Sequence, residues 1–323
     1  MNSEFVLTDQ PSNIALIKYM GKENIEANVP ANASLSYTLP HLKSFVRISI
    51  SDTDSDVWQP LLIPDQSLIA VNLSDKSKQR FLKHLDFLKQ SFGVTAQFKI
   101  ESANNFPADC GIASSASSFA ALTKAAIEMF QKMGVKQAFC STGDMAALSA
   151  KGSGSSCRSF FGPWVLWSGN SVRPLELPYE NLYHQVVVVD SAKKSVSSSE
   201  AHKRDVSSAN YQGRPMRAQD RLAHLLEAFR HQDWKLAFEI SWDEFTDMHN
   251  LFETSEPGFS YLTKTSHEAL QFAKGIWADH QSGPIATTDA GPNVHLLWRP
   301  EDKVLAKSFE QDLSKFGKVI SSE

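Results

Sequence analysis

Cysteine is scarce in this chain: three residues in 323, Cys110, Cys140 and Cys157, widely spaced and without a CxxC pair. So sparse and odd a set excludes a disulfide framework and a cysteine-rich zinc module, and it suits a reducing compartment. Positive charge is not in excess either, with 32 Lys and Arg against 36 Asp and Glu for a formal net charge of −4. Without a basic surplus or a basic run, nothing marks the chain as a partner of nucleic acid or of an anionic membrane, and neither partner is expected. Long apolar runs are missing too. The longest obvious aliphatic stretch, Val186 to Val189, falls far short of the roughly 20 residues that a spanning helix needs. Met1 to Gln10 carries Glu4 and Asp9 where a secretory leader needs basic residues and then an apolar run. A cytoplasmic protein is the expectation.

Three familiar motifs are also absent. GxxxxGK[ST] fits nowhere in the chain. The run Gly152-Ser-Gly-Ser-Ser-Cys157-Arg158 fails GxGxxG at Cys157 and GxSxG at Arg158. A Walker-type phosphate loop, a dinucleotide fingerprint and a serine-hydrolase elbow are therefore all unsupported.

What is present reads as an ordinary folded protein, 42% hydrophobic and 21% charged, long enough for two modest domains or one large one with a shared cleft. Strand-like stretches occupy Asn13–Met20, Phe45–Ile50, Leu68–Leu73 and Gln97–Ser102. A helix is expected from Lys76 to Gln90, with Phe81, Leu85 and Leu88 on one face, and another from Gly111 to Met133. Ser141 is placed to cap a helix over Thr142–Lys151. An aromatic-rich strand, Phe160–Trp167, follows. The pattern loosens from Asn170 to Pro178, which divides the chain into residues 1–175 and 176–323. Beyond it come a strand at His184–Asp190, helices at Arg217–His231, Trp234–Met248 and Thr263–Asp279, strands at Ile285–Asp289 and Val294–Trp298, and a last helix near Val304–Phe316. Strands and helices interleave without regular alternation, so the class is α+β.

Four segments carry chemistry. Pro107-Ala-Asp-Cys-Gly111-Ile-Ala-Ser114-Ser115-Ala116 turns into a helix whose first residues are small. Free backbone N–H groups there suit a phosphate, and the two hydroxyls offer further contacts, Mg²⁺ among them; a Ser/Ala-rich helix start packed on a sheet reads the same way. The Gly152–Arg158 run is a turn with hydroxyls and one guanidinium, suited to a carboxylate or phosphate, or simply a loop. In Asn13-Ile-Ala-Leu-Ile-Lys18-Tyr19-Met20-Gly21-Lys22, strand alternation sends Lys18, Met20 and Lys22 to one face unless Gly21 breaks the strand. Lysines on a buried strand imply an anionic partner in a cleft; on an edge strand they merely block aggregation. Finally, Thr287-Thr288-Asp289-Ala290-Gly291-Pro292-Asn293 reads as a strand end and tight turn, where a lone carboxylate most often caps its own backbone.

Taken together and in this order, the segments resemble the GHMP kinase superfamily and, within it, the diphosphomevalonate decarboxylases. Asn13 to Lys22 looks like the family's NIAxxKYWGK, and Asn28, Pro30, Asn32 and Ser34-Leu35-Ser36 match NxPxNxSLS. Pro107 to Ala116 matches the phosphate loop PxxxGLxSSA, preceded by Asn104-Asn105-Phe106 as in the decarboxylases. Gly152 to Ser159 matches GSGSACRS with Ser156 for Ala, and DAGPN stands intact as Asp289 to Asn293. The resemblance spans nearly the whole chain. It implies a two-lobed fold, with an N-terminal lobe like ribosomal S5 domain 2, a ferredoxin-like C-terminal lobe and the active site between them. It also implies ATP and Mg²⁺ as cofactors, a homodimer, and a reaction in which the C3 hydroxyl of 5-diphosphomevalonate is phosphorylated and the product loses phosphate and CO₂ to give isopentenyl diphosphate, a step of isoprenoid synthesis.

The resemblance further assigns roles. Asp289 orients the tertiary hydroxyl and takes its proton, Lys18 keeps Asp289 ionised and neutralises the phosphoryl group, and Arg158 holds the substrate carboxylate with help from Asn13. Tyr19, Lys22, Ser153, Ser155 and, through the VSSTxGM-like stretch from Val196 to His202, Ser199 surround the substrate. Arg80 is a further diphosphate contact by a looser match. Asn104, Asn105, Pro107, Gly111, Ser114, Ser115 and Ala116 fall to ATP, with Ser115 a candidate Mg²⁺ contact. Departures are Met20 for Trp, His202 for Met, Ala201 for Gly, and Ser117-Ser118 for Ala-Gly. They bear on whether one or two phosphates sit at the C5 end. Rival readings are a phosphomevalonate decarboxylase, a kinase of the mevalonate 3-kinase type, and a non-catalytic ATP or metabolite sensor.

Overall fold

Two long strands form the spine of the N-terminal half. The computed structural model describes residues 4–24, 28–62, 68–107, 114–190 and 196–323. Strand β1, Phe5–Ile17, starts with alternating exposed and buried positions and ends buried on both faces, as expected of a strand passing from a half-covered edge into the centre of the protein. A short ribbon follows, β2 (Lys22–Asn24) with β3 (Val29–Pro30). Strand β4, Ser34–Ile50, then pairs antiparallel with β1 over nearly its whole length. The register shifts at Pro11/Ser12, where a residue without an N–H is tolerated because the bulge leaves a ladder position open.

The rest of this sheet is built on the other edge of β4. Strands β5 (Val57–Pro60) and β6 (Ile69–Ala70) precede helix α1 (Asp75–Phe92), and β7 (Phe98–Asn104) pairs with the C-terminal half of β4. Helices α2 (Ser114–Lys132) and α3 (Thr142–Gly152) lead to β8 (Trp164–Ser168) and β9 (Ser171–Leu175), and β8 pairs with the N-terminal half of β4. The seven-stranded order is β5-β7-β4-β8-β9, with β1 on β4 and β6 on β7. Phe81, Leu85 and Leu88 of α1 meet Phe119, Leu122 and Phe130 of α2 over Val46, Ile48, Phe98 and Ile100 of the sheet. The expected cap of α3 is present: Ser141 Oγ accepts from the Asp144 N–H while Asp144 accepts from the Ser141 N–H.

The C-terminal half opens with β10 (Tyr183–Val188) and the short helix α4 (Ser198–Arg204). Helices α5 (Arg214–Arg230), α6 (Trp234–Glu253) and α7 (Lys264–His280) follow. Strands β11 (Ile285–Thr287) and β12 (Val294–Trp298), helices α8 (Lys303–Ser308) and α9 (Glu310–Leu313), and strand β13 (Lys318–Ser321) complete the chain. The four strands lie antiparallel in the order β11-β12-β10-β13. The α+β class is as read from the sequence. In this half α4 was not expected, the last helix is broken into α8 and α9, and β13 follows it. In the first half β2, β3, β5 and β9 were not expected, β4 starts at Ser34 and not at Phe45, and Phe160 closes a 3-10 turn instead of opening a strand.

The two halves share one core. Ile14, Leu16, Leu35 and Tyr37 of the first sheet pack in the same buried cluster as Val186, Leu222, Phe229, Phe238 and Leu296. The inner end of β1 is thereby clamped between halves, and the residues just after it emerge at the seam.

Candidate active site

Strand β1 ends at Ile17, so Lys18 to Lys22 do not alternate as a strand continuation would. Gly21 breaks the run with φ +89°, and a Cβ there would stand 2.8 Å from Tyr211 Oη, so only glycine fits this turn without strain. Lys18 is 1% exposed. Its Nζ donates to Asp289 Oδ1 at 2.8 Å, which answers the desolvation of the ammonium with an opposite charge. Asp289 lies two residues beyond β11 and makes its turn through its backbone carbonyl, which accepts from the Gly291 N–H at 2.7 Å. Its side chain is therefore available for the cavity instead of capping its own backbone. Burial by itself pushes the Asp289 carboxyl up, but the charge and hydrogen bond of Lys18, with His295 and Arg158 behind, hold it below the usual carboxylate range. Burial likewise presses Lys18 below the ordinary lysine value, opposed chiefly by Asp289.

Arg158 faces the same pair from the 3-10 turn Gly154–Phe160. It is 4% exposed, its Nε donates to Asn13 Oδ1 at 3.1 Å and its Nη1 to Ser34 Oγ at 2.8 Å. Asn13 in turn donates from Nδ2 to Ser159 Oγ at 2.9 Å. Asn13 thus holds the arginine from behind, and it is not part of the cavity wall. The guanidinium also lies 5.9 Å from the centre of the Trp167 ring. With two of its nitrogens fixed, the planar group presents its remaining edge in one orientation, as bidentate recognition of a carboxylate requires. Tyr19 is sandwiched between Trp167 and His202, both at 4.6 Å between ring centres. Gly154 passes so close that a Cβ would stand 2.8 Å from Tyr19 Oη.

These groups line one end of a cavity of about 630 Å³, whose other end is cationic. Lys22 Nζ donates to Asn28 Oδ1 at 2.6 Å, and Asn28 itself, at φ 55°, donates to the carbonyls of Ala150 and Lys151 at the end of α3. Arg80 reaches from α1 to the Gly152 carbonyl at 3.2 Å with its guanidinium 5.2 Å from the Phe119 ring centre. Burial and the neighbouring charge of Arg80 lower the Lys22 pKa, with Asp205 opposing them. Ser153, Ser155 and Ser199 all line the cavity.

The nucleotide side is described in part. Ser114 and Ser115 open α2 onto the same cavity, whereas Ala116 is buried in the helix packing. Gly111 and the rest of 108–113 lie outside the described residues. Pro107 is half-buried at the edge of that gap. Asn104 Oδ1 accepts from Ser44 Oγ at 2.7 Å, and Asn105 accepts from the Lys43 N–H and donates to the His41 carbonyl. Both asparagines tie β7 to β4 and neither lines the cavity. Among the described residues no group of three or more His, Cys, Asp or Glu converges as a metal site. Ser115, the candidate cation contact of the sequence, lines the cavity.

Some functional residues escaped the sequence reading. Glu244, fully buried on α6, accepts the Lys18 backbone N–H at 2.9 Å and pairs with Arg214 and Arg221. Asn32 donates to the Lys18 carbonyl at 3.0 Å. Lys18 is thus fixed by its main chain on both sides. The signal for Glu244 was its place on the apolar stripe of α6, among Phe238, Ser241, Phe245 and Met248, where an acid needs a buried partner. Met20, in place of the family's Trp, packs with Val196, Met248 and Phe252.

An α+β fold with a carboxylate, a lysine and an arginine at one end of a cation-rimmed cavity defines an enzyme of the GHMP kinase fold. Residues 10–174 match the family model of the diphosphomevalonate decarboxylase-like N-terminal domain, and residues 185–317 that of the mevalonate 5-diphosphate decarboxylase C-terminal domain. The chain belongs to the diphosphomevalonate decarboxylase family. A mevalonate diphosphate decarboxylase structure from Legionella pneumophila superposes with a TM-score of 0.91 at 45% identity, covering 98% of this chain and 100% of that one. The structure of MDDEF in complex with MVAPP, AMPPCP and magnesium gives 0.83 at 28% identity, covering 99% and 100%. The diphosphomevalonate decarboxylase ERG19 of Gibberella zeae is 28% identical over 96% of this chain and 85% of its own length.

Proposed function

We propose that this chain catalyses the ATP-dependent decarboxylation of (R)-5-diphosphomevalonate to isopentenyl diphosphate, with release of ADP, phosphate and CO₂. One observation carries the reading: the pair of buried Lys18 and half-buried Asp289 shares with Arg158 the cavity that Lys22 and Arg80 also line. Such a cavity accepts a molecule with a polyanion at one end and a carboxylate and hydroxyl at the other. ATP, with Mg²⁺ on its phosphates, supplies the phosphoryl group that turns the C3 hydroxyl into a leaving group. Ser114, Ser115 and the N–H groups opening α2 fit its phosphates.

Asp289 orients the C3 hydroxyl and takes its proton as the phosphoryl group arrives. Lys18 keeps the carboxylate ionised before the transfer and offsets the negative charge gathered around C3. Arg158 fixes the substrate carboxylate, so that its C–C bond is aligned with the departing phosphate. As CO₂ leaves, the electron pair of that bond forms the C=C bond and the C3–O bond breaks.

An assay with ATP, Mg²⁺ and 5-diphosphomevalonate that reads ADP and trapped CO₂ together tests this. Equal amounts of both are expected. ADP without CO₂ identifies a kinase and overturns the reading; neither product with any mevalonate phosphate identifies a binding protein. The homodimer and the cytoplasmic location are proposals resting on family resemblance and composition. Light scattering on the purified chain checks the first. No helix among the described residues is long and apolar enough to cross a membrane.

A further inference from the structure

Thr288 and Asp289 lie just past the end of β11, where the strand ladder no longer fixes the chain. Asp289 is held at its tip, the carboxylate, by Lys18. Its root is held through the residue before it. Thr288 is fully buried, and its Oγ1 lies 2.8 Å from Nε2 of His249 on α6. The same ring meets the main chain of Asp289.

His249 is itself immobilised. It is 3% exposed, and Phe252, Tyr261 and Phe245 stand edge-on around it, with ring centres at 5.5, 6.3 and 6.4 Å. Its Nδ1 is sealed from solvent and meets no hydrogen-bond partner among the described residues. A buried nitrogen without a partner costs stability that an apolar side chain in the same cage would not. Packing alone therefore does not account for a histidine here, and what the imidazole adds to an apolar group is the bond to Thr288. Burial and the charge of Lys18 lower its pKa to about 3, opposed by Asp289. The ring is neutral at physiological pH and adds no charge beside the carboxylate, so its effect on Asp289 is one of place.

The helix that carries His249 also carries Glu244, which accepts the Lys18 N–H at 2.9 Å. Lys18 follows a strand of the first sheet and Asp289 a strand of the second. Both partners of the 2.8 Å ion pair thus hang from one rigid element, five residues apart.

We propose that His249 is a positioning residue: its bond to Thr288 fixes the main chain from which Asp289 projects, so that α6 sets the carboxylate where it meets the substrate hydroxyl. This rests on the reading that Asp289 is the base of the reaction, and it adds the residue that aims it.

The test compares wild type, His249→Asn, His249→Gln and Thr288→Val for ADP and CO₂ released from ATP and 5-diphosphomevalonate, with Tm measured on each. Glutamine can place its amide where Nε2 stands, whereas asparagine reaches only as far as Nδ1. Thr288→Val keeps the shape, deletes the hydroxyl and leaves the aromatic cage intact. In His249→Asn and Thr288→Val, kcat is expected to fall roughly 10- to 100-fold, the range for a displaced reacting group. KM for both substrates is expected to stay within about threefold. Both His249 variants lose the ring and should lower Tm alike, yet Gln is expected to recover most of kcat. A kcat that is equal in Asn and Gln, or that falls in step with Tm, reduces His249 to packing and overturns the proposal. Full kcat in Thr288→Val overturns it as well, and this variant carries the test if His249→Asn does not fold. A wild-type chain that releases no CO₂ overturns the functional reading instead, before any variant is compared.

Discussion

The two ends of the cavity are built in opposite ways. At the reacting end Lys18 and Arg158 are 1% and 4% exposed, and every anchoring group around them is itself held. Lys18 is fixed at its N–H by Glu244, at its carbonyl by Asn32 and at its ammonium by Asp289. At the polyanion end Lys22 is half-buried, Arg80 is exposed, and their partners are an amide oxygen and a backbone carbonyl. One end is preorganised before substrate arrives, which lowers the reorganisation needed in the transition state. The other gathers Lys22 and Arg80 with neutral hydrogen-bond partners and only Asp205 opposing the charge on Lys22. Damage to the first end is expected in kcat, and damage to the second in KM.

The largest effect is expected from Asp289→Asn, which keeps the shape and removes the base. kcat should fall roughly 10²- to 10⁴-fold with little change in ATP affinity. Near-full turnover in that variant removes Asp289 from its role.

Next comes the support beneath Lys18. Glu244→Gln leaves Arg214, fully buried, with a neutral amide in place of its nearer carboxylate and only Asp247, at 3.4 Å, still paired to it. Leaving a buried charge wholly unpaired costs about 3–5 kcal/mol; with Asp247 remaining the loss should be smaller than that, readable as a lower urea midpoint. Because Glu244 also holds the Lys18 N–H, kcat should fall further than the KM for substrate rises. A variant with wild-type stability and kcat means that the reacting end does not depend on this network.

Lys22→Ala tests the opposite end. KM for the phosphorylated substrate is expected to rise roughly tenfold or more, with kcat little changed. A kcat loss as large as that of Asp289→Asn erases the distinction between the ends.

The smallest effect concerns Asp205, buried behind the Gly21–Lys22 turn with neither carboxylate oxygen completing a well-formed hydrogen bond among the described residues. Burial pushes its pKa up to about 7, opposed by the amides of Val206 and Gly21 and by Lys22. An acid raised in the folded state binds its proton more tightly there than in the unfolded chain. Stability from this group is therefore fully present below its ordinary value of 3.8, declines as pH rises above that and levels off beyond about 7. Between pH 5.5 and 8 the loss is about 2 kcal/mol, and Asp205→Asn should remove that part of the pH dependence, raising Tm at pH 8 by a few degrees relative to wild type. Identical Tm-against-pH curves for the two proteins mean that Asp205 does not titrate in this window.

Local signals in the sequence were read where local physics decides. The apolar stripe of Phe81, Leu85 and Leu88 gave α1, and Ser141 gave the capped start of α3. Other features were hidden because neighbours far along the chain impose them. β4 runs through Pro40 as one strand only because β1, β7 and β8 pair with it on either side. Helix α4 has seven residues and one buried position, Ala201, too little pattern to read.

The sequence by itself marked Lys18, Arg158 and Asp289 as candidates, through the order of segments that resemble the family's and not through any one of them. Tertiary structure alone decided that they meet. Lys18 and Asp289 are 271 residues apart, and no local spacing records that the end of one strand in the first sheet meets the turn after another in the second. The footing of Asp289 is of the same kind. The hydroxyl of Thr288 is bound because packing sets the ring of His249, 39 residues earlier in the chain, opposite it.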